Sequence, residues 1–382
     1  MGKKVVIIGA GVSGLSAGVY VLQAGYSVEI YEKNKMPSGE CTGWNRQGYH
    51  IDNCIHFLVG CNKDEQLYKM WENLGVLSDS LEIYREPYFY CMEMDGVILR
   101  LWRNLEKTRK EFLELAPEDT KELNLFFDCV KSLECVKPPC DISIAHMNLI
   151  QFIKLGMSMK DANKAIKEYG KQSMEEFTNH YIRAIFKNYF NSNFIALSFV
   201  ASYAFYTSNT TAIPEGVSVG LVSRMLAKFE SLGGKLHLGV NIEKINIADK
   251  QVVSIIGNNG KVINSDNYIW CADPHSLFYD LIDERYLDKN LRYMYDNPEG
   301  YVSNTGYQVA FGIVTEADLK LPGNYLKEAL FFLVTNMMLQ EKHTIFVECV
   351  FMIMMKHYFL WERELFSVMF YKMQKIMLTG LG

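Results

Sequence analysis

The sequence lacks the cysteine patterns that mark disulfide scaffolds and zinc sites. Its nine cysteines include no CxxC pair and no cluster with the spacing of metal ligands. An odd, scattered set is typical of a reducing compartment, in which most cysteines pack as small hydrophobic residues. The sequence therefore predicts a cytoplasmic protein that binds no metal ion.

The chain also has no basic stripe of the kind that binds nucleic acid. Its formal net charge is −5, with 39 lysine and arginine residues against 44 acidic ones. No paired carboxylates and no Ser/His/Asp order stand out. We therefore expect no nucleic-acid partner, and these patterns assign no catalytic residue.

A stretch without charged residues runs from Val5 to Val28 and looks at first like a signal peptide or a membrane span. It carries five glycines, however, and it divides into a β-branched run, a turn and an amphipathic helix. We interpret it as folded structure. No amphipathic anchor is evident elsewhere, so a peripheral contact with a membrane is left open, as is the oligomeric state.

At 382 residues, of which 49% are apolar and 22% charged, the chain is a folded protein too long for one small core. Its first motif is a continuous apolar run, residues 5–8, typical of a strand buried on both faces of a parallel sheet. The run is followed by Gly9, Ala10, Gly11, Val12, Ser13 and Gly14, and then by a helical pattern to about Ala24. The three glycines allow a tight turn, a close approach to a pyrophosphate and close packing of helix on strand. The helix N-terminus would then bind the phosphates.

A second strand, residues 27–31, ends at Glu32, about 20 residues beyond the glycines. A carboxylate at this point binds the adenosine ribose hydroxyls and would repel a 2′-phosphate, which disfavours NADP. Lys33, the next residue, belongs to the same predicted site. The order of strand, glycines, helix, strand and acid predicts a dinucleotide site, but it does not separate FAD from NAD.

The segment after Glu32 favours FAD. It is a long polar loop through Ser38 and Gly39, followed by a short Tyr/Ile strand within residues 48–58. A NAD-binding unit normally continues into another crossover helix at this point. A long loop instead suits the lining of an extended cofactor.

With these residues the sequence resembles the superfamily of FAD-dependent phytoene desaturases (carotenoid desaturases) and flavin amine oxidases. Its members carry a glycine pair after the acid and then a GY-x-x-D-x-G-x-H-x-L stretch, which corresponds here to residues 48–58. The resemblance implies that Glu32 holds the adenosine ribose and that Ser38 and Gly39 lie beside FAD.

In the same resemblance, Asp52 and His56 lie in the turn that supports the cofactor. Two positions differ from the family pattern, because Ser38 replaces the first glycine of the pair and Cys54 replaces the glycine before the histidine. We do not nominate His56 as catalytic, since flavin dehydrogenation does not require a protein base.

A third block begins with residues 213–220 and predicts a helix from Leu221 to Leu232. A strand over 235–245, two strands around a turn at 258–260, and a strand near 268–272 follow. In the family this order returns the chain to the dinucleotide domain, and the residue matching Val240 pairs its backbone with the adenine.

Together these patterns predict an α/β fold. It consists of a Rossmann-like FAD-binding domain, with a parallel sheet of the glutathione-reductase type, and an inserted mixed, largely helical substrate domain. The predicted boundaries are 1–61 and 213–290 for the FAD-binding domain, 62–212 for the substrate or cap domain, 291–324 for the start of a second substrate segment, and 325–382 for an atypical tail.

The inserted domain contains a run of aromatic residues that either packs as core or lines a tunnel for a long apolar substrate, and core packing is favoured. The run comprises Tyr181, Phe186, Tyr189, Phe190, Phe194, Phe199, Tyr203, Phe205 and Tyr206.

The tail has an unusual composition. From Tyr325 to Thr379 there is neither glycine nor proline, and eight of the 19 methionines follow Asn336. Family members end with a Gly-Asp segment that closes over the flavin, and no counterpart is found here. We hypothesise a frameshifted or truncated product, whose flavin would lose part of its binding wall.

The resemblance implies an FAD-dependent oxidoreductase that abstracts hydride from a small hydrophobic substrate. Desaturation of an isoprenoid or carotenoid-like compound is the nearest analogue, and amine oxidation is the next. The alternative is a non-catalytic carrier like the Rab GDP-dissociation inhibitors, which share this architecture, or an inactive truncated flavoprotein. A third hypothesis is that NAD occupies the N-terminal fold.

Overall fold

The computed structural model describes residues 2–46, 49–52, 54–55, 57–137, 140, 142, 144–169, 176–189 and 196–298, together with four strands between 306 and 371. In chain order the strands are β1 (Lys4–Ile8), β2 (Ser27–Glu32), β3 (Gly43–Arg46), β4 (Tyr49–Asp52), β5 (Leu58–Val59), β6 (Ile83–Tyr84), β7 (Tyr88–Met94), β8 (Val97–Trp102), β9 (Thr211–Pro214), β10 (Lys235–Leu238), β11 (Ile242–Ala248), β12 (Gln251–Gly257), β13 (Val262–Ile263), β14 (Asn267–Trp270), β15 (Gly306–Ile313), β16 (Leu330–Thr335), β17 (Val347–Ile353) and β18 (Glu364–Tyr371).

The α-helices are α1 (Val12–Gln23), α2 (Gln66–Asn73), α3 (Leu105–Leu115), α4 (Thr120–Leu133), α5 (Leu149–Ser158), α6 (Lys160–Tyr169), α7 (His180–Tyr189), α8 (Ala196–Thr207), α9 (Val217–Ser231), α10 (Pro274–Ser276) and α11 (Lys289–Asp296). Single 3₁₀ turns lie at Pro117–Asp119, Ile144–His146 and Glu284–Tyr286, and a π-helical turn lies at Leu277–Leu281.

A four-stranded parallel sheet in the order β10-β2-β1-β14 forms the centre of the first lobe. Both faces of β1 are covered, which explains its continuous apolar sequence. Ile7 packs in a cluster with Leu15 of α1 and Phe229 of α9. On the other face, Ile8 packs in a cluster with Ile255 of the antiparallel sheet β11-β12-β13. The lobe therefore has three layers: helices, a parallel sheet and an antiparallel sheet. This arrangement confirms the predicted Rossmann-like α/β architecture.

The close contact between α1 and α9 depends on a residue without a side chain. A Cβ atom on Gly18 of α1 would lie 2.7 Å from the Phe229 ring of α9. The two helices that cover the parallel sheet are separated by almost 200 residues of sequence, so this contact joins the two halves of the lobe.

Two features of the third block differ from the sequence prediction. The strand predicted over 235–245 is two strands in different sheets, because Gly239 turns the chain at φ +71° between β10 and β11. The helix predicted from Leu221 begins earlier, at Val217. Its N-cap is Gly216 at φ +73°, a left-handed conformation that glycine adopts without strain.

The second lobe is built from α3, α4, α6, α7 and α8 around the hairpin β7–β8, with a large aromatic core. Phe126 of α4 stacks on Tyr203 of α8 at 6.3 Å between ring centroids, and Phe186 packs edge-on against Phe199 at 5.1 Å. This core confirms the mixed, largely helical character that was predicted for the inserted region.

Most members of the aromatic run whose side chains are described pack into this core. Phe186, Phe199, Tyr203 and Tyr206 are buried, and Tyr181 and Phe205 are half-buried. The side chains of Tyr189, Phe190 and Phe194 lie outside the described part of the chain. The core-packing interpretation is therefore confirmed for the buried members.

The strands β15 to β18 extend the hairpin β7–β8 into a six-stranded sheet in the order β15-β18-β17-β16-β7-β8. Strand β16 runs parallel to β7, with Phe331 opposite Cys91. The remaining residues of the methionine-rich tail lie outside the described residues, and the hypothesis of a frameshift or truncation stays a prediction.

A buried polar cluster joins the second lobe to β9. The Arg103 guanidinium donates to the carbonyl oxygens of Glu86, Tyr206 and Thr211, at 3.0, 2.9 and 3.3 Å. It also lies 3.8 Å from the centroid of the Tyr206 ring. The Glu86 carboxylate is 3.7 Å from the guanidinium, and one of its oxygens is buried without a hydrogen-bond partner. Burial raises the pKa of Glu86 from 4.5 to about 7.

This raised pKa predicts a pH-dependent stability. Between about pH 4.5 and 7 the folded chain holds the Glu86 proton more tightly than the unfolded chain does. The free energy of unfolding should therefore fall as the pH rises through this interval, by at most on the order of 3 kcal/mol. Urea unfolding at several pH values should show the slope in the wild type and lose it in Glu86→Gln. The exposed neighbour Glu82→Gln is the matched control and should keep it; an unchanged slope in Glu86→Gln would assign the dependence to another group.

Candidate dinucleotide-binding site

The glycine-rich loop connects the end of β1 to the first turn of α1. Gly9 adopts φ +101°, and its N–H donates to the Tyr31 carbonyl oxygen of β2 at 2.8 Å. The first backbone hydrogen bond of the helix runs from the Leu15 N–H to the Gly11 carbonyl oxygen at 3.0 Å. The N–H groups of Val12, Ser13 and Gly14 therefore point out of the helix end, where they give a partial positive charge suited to an anion.

Two of the three glycines are required by the protein itself. A Cβ atom on Gly9 would lie 2.7 Å from the Cys271 carbonyl oxygen, and one on Gly14 would overlap the Gly9 carbonyl oxygen. These contacts hold β1, α1 and the residue after β14 together. Gly9 makes the turn and Gly14 allows the helix to pack, as the sequence motif predicts.

Gly11 is different, since no described atom of the chain requires a glycine there. Its backbone is extended, with φ −75° and ψ −176°, which any residue adopts. A Cβ atom would meet its nearest described atom, the Gly39 Cα, at an ordinary 3.6 Å. A methyl group at Gly11 would therefore fit against the described atoms without displacing them, so the described packing does not itself call for a glycine. A diphosphate approaching the backbone fits this observation.

Glu32 lies beside this loop at the end of β2 and is 5% exposed. One carboxylate oxygen accepts the Ala10 N–H and the other accepts the Asn34 N–H, each at 2.8 Å. These bonds hold the carboxylate against the glycine loop. Because a carboxylate oxygen accepts more than one hydrogen bond, both oxygens keep capacity for the hydroxyls of a ribose.

The loop after β2 returns to the same place. Gly39 adopts φ +58°, and a Cβ atom on it would lie 3.2 Å from the Gly11 Cα. The Ser38 carbonyl oxygen lies nearby, at 3.8 Å from the position of a Gly11 Cβ. Lys33 is exposed to solvent at the end of β2. The structure thus brings Ser38 and Gly39 to the glycine loop, and it leaves Lys33 at the rim.

Val240 follows β10 and lies next to Glu32 through the backbone. Its N–H donates to the Glu32 carbonyl oxygen at 2.9 Å. The pairing with adenine that the resemblance implies would therefore have to use the Val240 carbonyl oxygen. All of the predicted site residues lie around the carboxyl ends of β1 and β2, where open parallel sheets bind their ligands.

The sequence did not indicate Ser218, which completes a buried network behind the loop. The Asp52 carboxylate accepts the Ser218 N–H at 2.9 Å and the Ser218 hydroxyl at 2.7 Å. It also accepts the N–H groups of Cys54 and Ile55, each at 3.2 Å. Asp52 thus fastens the turn after β4 to the N-terminus of α9. His56, predicted to lie in the same turn, is outside the described residues.

The cysteines of this region are ordinary thiols rather than nucleophiles. Burial raises the pKa of Cys41 to about 12, and its thiol contacts the Ser218 carbonyl oxygen at 3.8 Å. Burial likewise raises the pKa of Cys271, beside the glycine loop. Within the described ranges, no group of three or more His, Cys, Asp or Glu side chains is arranged to hold a metal ion.

No helix in the described part of the chain is both long enough and apolar enough to cross a lipid bilayer.

The fold and this site define the class as a Rossmann-like, dinucleotide-binding fold. Residues 7–74 match the family model of the NAD(P)-binding Rossmann-like domain. This match covers β1, the glycine loop, α1, β2 and Glu32, and it implies a dinucleotide cofactor.

Comparison with individual proteins gives more specific similarities. The chain is 23% identical over 316 residues to 4,4'-diaponeurosporene oxygenase of Staphylococcus aureus (strain USA300), which covers 80% of this chain and 63% of that protein. The chain therefore spans less than two thirds of this relative.

Among solved structures, a putrescine oxidase variant (A394C) superimposes with a TM-score of 0.57 and 15% identity, over 97% of this chain and 76% of that one. Rab GDI of Plasmodium falciparum superimposes with a TM-score of 0.52 and 11% identity, over 98% and 84%. These superpositions confirm the predicted fold class. The similarity to the diaponeurosporene oxygenase agrees with the resemblance that the sequence motifs indicate.

Proposed function

We propose that this chain is an FAD-dependent oxidoreductase that abstracts hydride from a hydrophobic substrate. The observation that carries the proposal is the hydrogen bond that holds the Glu32 carboxylate to the Ala10 N–H of the glycine loop, next to the N-terminus of α1. A diphosphate on the helix N-terminus and a ribose on the carboxylate would then be joined as they are in an adenine dinucleotide.

FAD is favoured over NAD by the segment that follows Glu32. Instead of entering another crossover helix, the chain returns to Gly11 through Gly39 and then forms the β3–β4 hairpin. This path adds backbone along the diphosphate region, as an extended cofactor requires. NAD in the same fold is the competing occupant.

Each residue of the site has a role in holding the cofactor. The N–H groups of Val12, Ser13 and Gly14 would bind the diphosphate, and Glu32 would orient the adenosine ribose. Asp52 and Ser218 would hold the turn after β4 in place. When bound, the flavin supplies the hydride-accepting chemistry.

For the substrate we propose an isoprenoid or carotenoid-like compound first and an amine second. The name of the Staphylococcus aureus relative, a diaponeurosporene oxygenase, supports the first, and the likeness to a putrescine oxidase supports the second. Anaerobic addition of a carotenoid precursor or of putrescine to the oxidised, flavin-loaded protein separates them, because only the true substrate class bleaches the flavin absorbance near about 450 nm.

The cofactor assignment is tested by thermal shift and titration of the full chain with FAD and with NAD⁺. FAD should raise Tm and NAD⁺ should not. In Glu32→Gln the affinity for FAD should fall roughly 10- to 100-fold, the loss expected for hydrogen bonds to a charged group. Glu40→Gln, an exposed change in the adjoining loop, is the matched control and should bind FAD like the wild type.

Other outcomes would replace the proposal. Stabilisation by NAD⁺ alone would make the chain a nicotinamide-dependent protein. A colourless protein that neither cofactor stabilises, even after reconstitution with FAD, would support a non-catalytic carrier on this fold.

A further inference from the structure

Two cysteines lie opposite each other where the β3–β4 hairpin runs into its flanking loops. Within the hairpin, Gly43 pairs with Asp52 in an antiparallel register. Extending this register by two residues on each side places Cys41 opposite Cys54. Opposite residues of an antiparallel pair have Cα atoms roughly 4.5–5.5 Å apart, within the range of roughly 4.4–6.8 Å that a disulfide spans.

The side chains of the two cysteines also meet. The Cys41 and Cys54 thiols share a hydrogen bond, in addition to their electrostatic interaction. Cys41 is buried, whereas Cys54 is exposed to solvent. The pair therefore offers one sulfur to a dissolved reagent and holds the other directly behind it.

Backbone hydrogen bonds hold both cysteines in place. The Cys41 N–H donates to the Ser38 carbonyl oxygen at 3.1 Å, and the Cys54 N–H donates to the Asp52 carboxylate at 3.2 Å. The Asp52 carboxylate is itself fixed, because it accepts the N–H and the hydroxyl of Ser218 at the start of α9. The fold therefore sets the distance between the two sulfur atoms, and a bond between them requires little movement of the backbone.

We propose that Cys41 and Cys54 form a reversible disulfide that links the loop after β2 to the turn after β4. Cys54 stands where the family pattern has the glycine before the histidine, so the pair is a feature of this chain and not of the pattern. The linked loop also contains Gly39, whose backbone lies against Gly11 of the glycine loop. Oxidation would therefore restrain a segment that borders the candidate dinucleotide site.

The oxidant is a small-molecule disulfide such as oxidised glutathione. The Cys54 thiolate attacks one glutathione sulfur, which forms a mixed disulfide and releases one reduced glutathione. The Cys41 thiolate then attacks the Cys54 sulfur, the mixed S–S bond breaks, and a second reduced glutathione leaves. The two cysteines lose two electrons to the glutathione disulfide, and their two protons end on the two glutathione thiols. In a reducing compartment the pair stays as thiols, and the link forms when the glutathione pool is oxidised.

This exchange should be slow at neutral pH. Burial raises the pKa of Cys41 to about 12 and also raises the pKa of Cys54, which lies beside the carboxylates of Asp52 and Glu40. Little thiolate is therefore present at pH 7, which suits a slow cross-link rather than a catalytic nucleophile. The rate of closure should rise about tenfold between pH 7 and 8, because the thiolate fraction rises by that factor.

The test is thiol mapping of the full chain, without added cofactor, after equilibration with mixtures of reduced and oxidised glutathione. Acid quenching, alkylation of the remaining thiols and mass spectrometry of the peptides should show a pair of peptides joined through Cys41 and Cys54, increasing with oxidised glutathione. Oxidation should also raise Tm by at least about 3 °C, because closing a loop of about 14 residues constrains the unfolded chain. Cys54→Ser should remove both effects. Cys135→Ser, at the exposed thiol after α4, is the matched control and should keep both.

Three results would overturn the proposal. The first is alkylation of both thiols even in the most oxidising mixture. The second is glutathione that stays on Cys54 without transfer to Cys41, and the third is a cross-link from either cysteine to a different thiol. Each is read from the wild-type chain, so none depends on the folding of a variant. Because the mapping requires no cofactor, its failure is distinguishable from failure of the flavoprotein proposal.

Discussion

Gly14→Ala is expected to prevent stable folding, because the new methyl group would overlap the Gly9 carbonyl oxygen between β1 and α1. Relief of this overlap requires α1 to move off the parallel sheet, whose central strand is buried on both faces. We expect a loss of more than about 4 kcal/mol in the free energy of unfolding, which is exceptional for one methyl group. Soluble yield, circular dichroism and urea unfolding measure it.

Gly11→Ala is the matched control, with the opposite expected outcome. Its methyl group meets only ordinary contacts, so the free energy of unfolding should stay within about 0.5 kcal/mol of the wild type. The affinity for FAD should nevertheless fall at least about tenfold, because the methyl group would hinder the close approach of the diphosphate to the backbone that we propose at this glycine. If Gly11→Ala binds FAD like the wild type, the diphosphate does not approach the loop at this residue.

Asp52→Ala should cause the second large effect. It removes the acceptor shared by the N–H groups of Cys54, Ile55 and Ser218 and by the Ser218 hydroxyl, and of these residues Ile55 and Ser218 are buried. A loss of about 3–5 kcal/mol in the free energy of unfolding is expected from urea titration.

Two further variants define the size of this effect. Ser218→Ala keeps the backbone donors and should cost about half as much, through loss of its hydroxyl bonds to Asp52 and from the Ile55 N–H. The exposed Asp64→Ala should change stability by less than about 0.5 kcal/mol. A loss of under about 1 kcal/mol in Asp52→Ala would show that the turn after β4 is held by other contacts.

Local pattern was sufficient to predict the start of the fold. The apolar run of β1, the glycine loop, α1 and Glu32 follow one another within some thirty residues, and the structure has them in that order. The turn at Gly9, with φ +101°, and the packing of Gly14 on the Gly9 carbonyl oxygen are short-range properties of the backbone, so the local sequence predicts them directly. The same holds for the turn between β12 and β13, where Gly260 adopts φ +73°.

Non-local geometry accounts for what the sequence did not predict. The contact between Asp52 and Ser218 joins residues 166 apart, and nothing in either local pattern indicates the other. The residues 235–245 look like one strand because their β-forming side chains are nearly continuous. The break at Gly239 arises because β10 joins the parallel sheet beside β2 while β11 pairs with β12.

The pairing order of the parallel sheet has a consequence for biosynthesis. Strands β1 and β2 pair with each other at the centre of the sheet. Their outer neighbours, β14 beside β1 and β10 beside β2, are encoded only from Lys235 onward. About 200 residues must be translated between Glu32 and Lys235, which takes roughly 10–40 s at bacterial or eukaryotic elongation rates. Throughout this delay the most apolar strand of the lobe has no completed sheet to enter. We therefore expect the nascent chain to expose apolar surface, and to need protection from aggregation, until the second half of the nucleotide fold emerges.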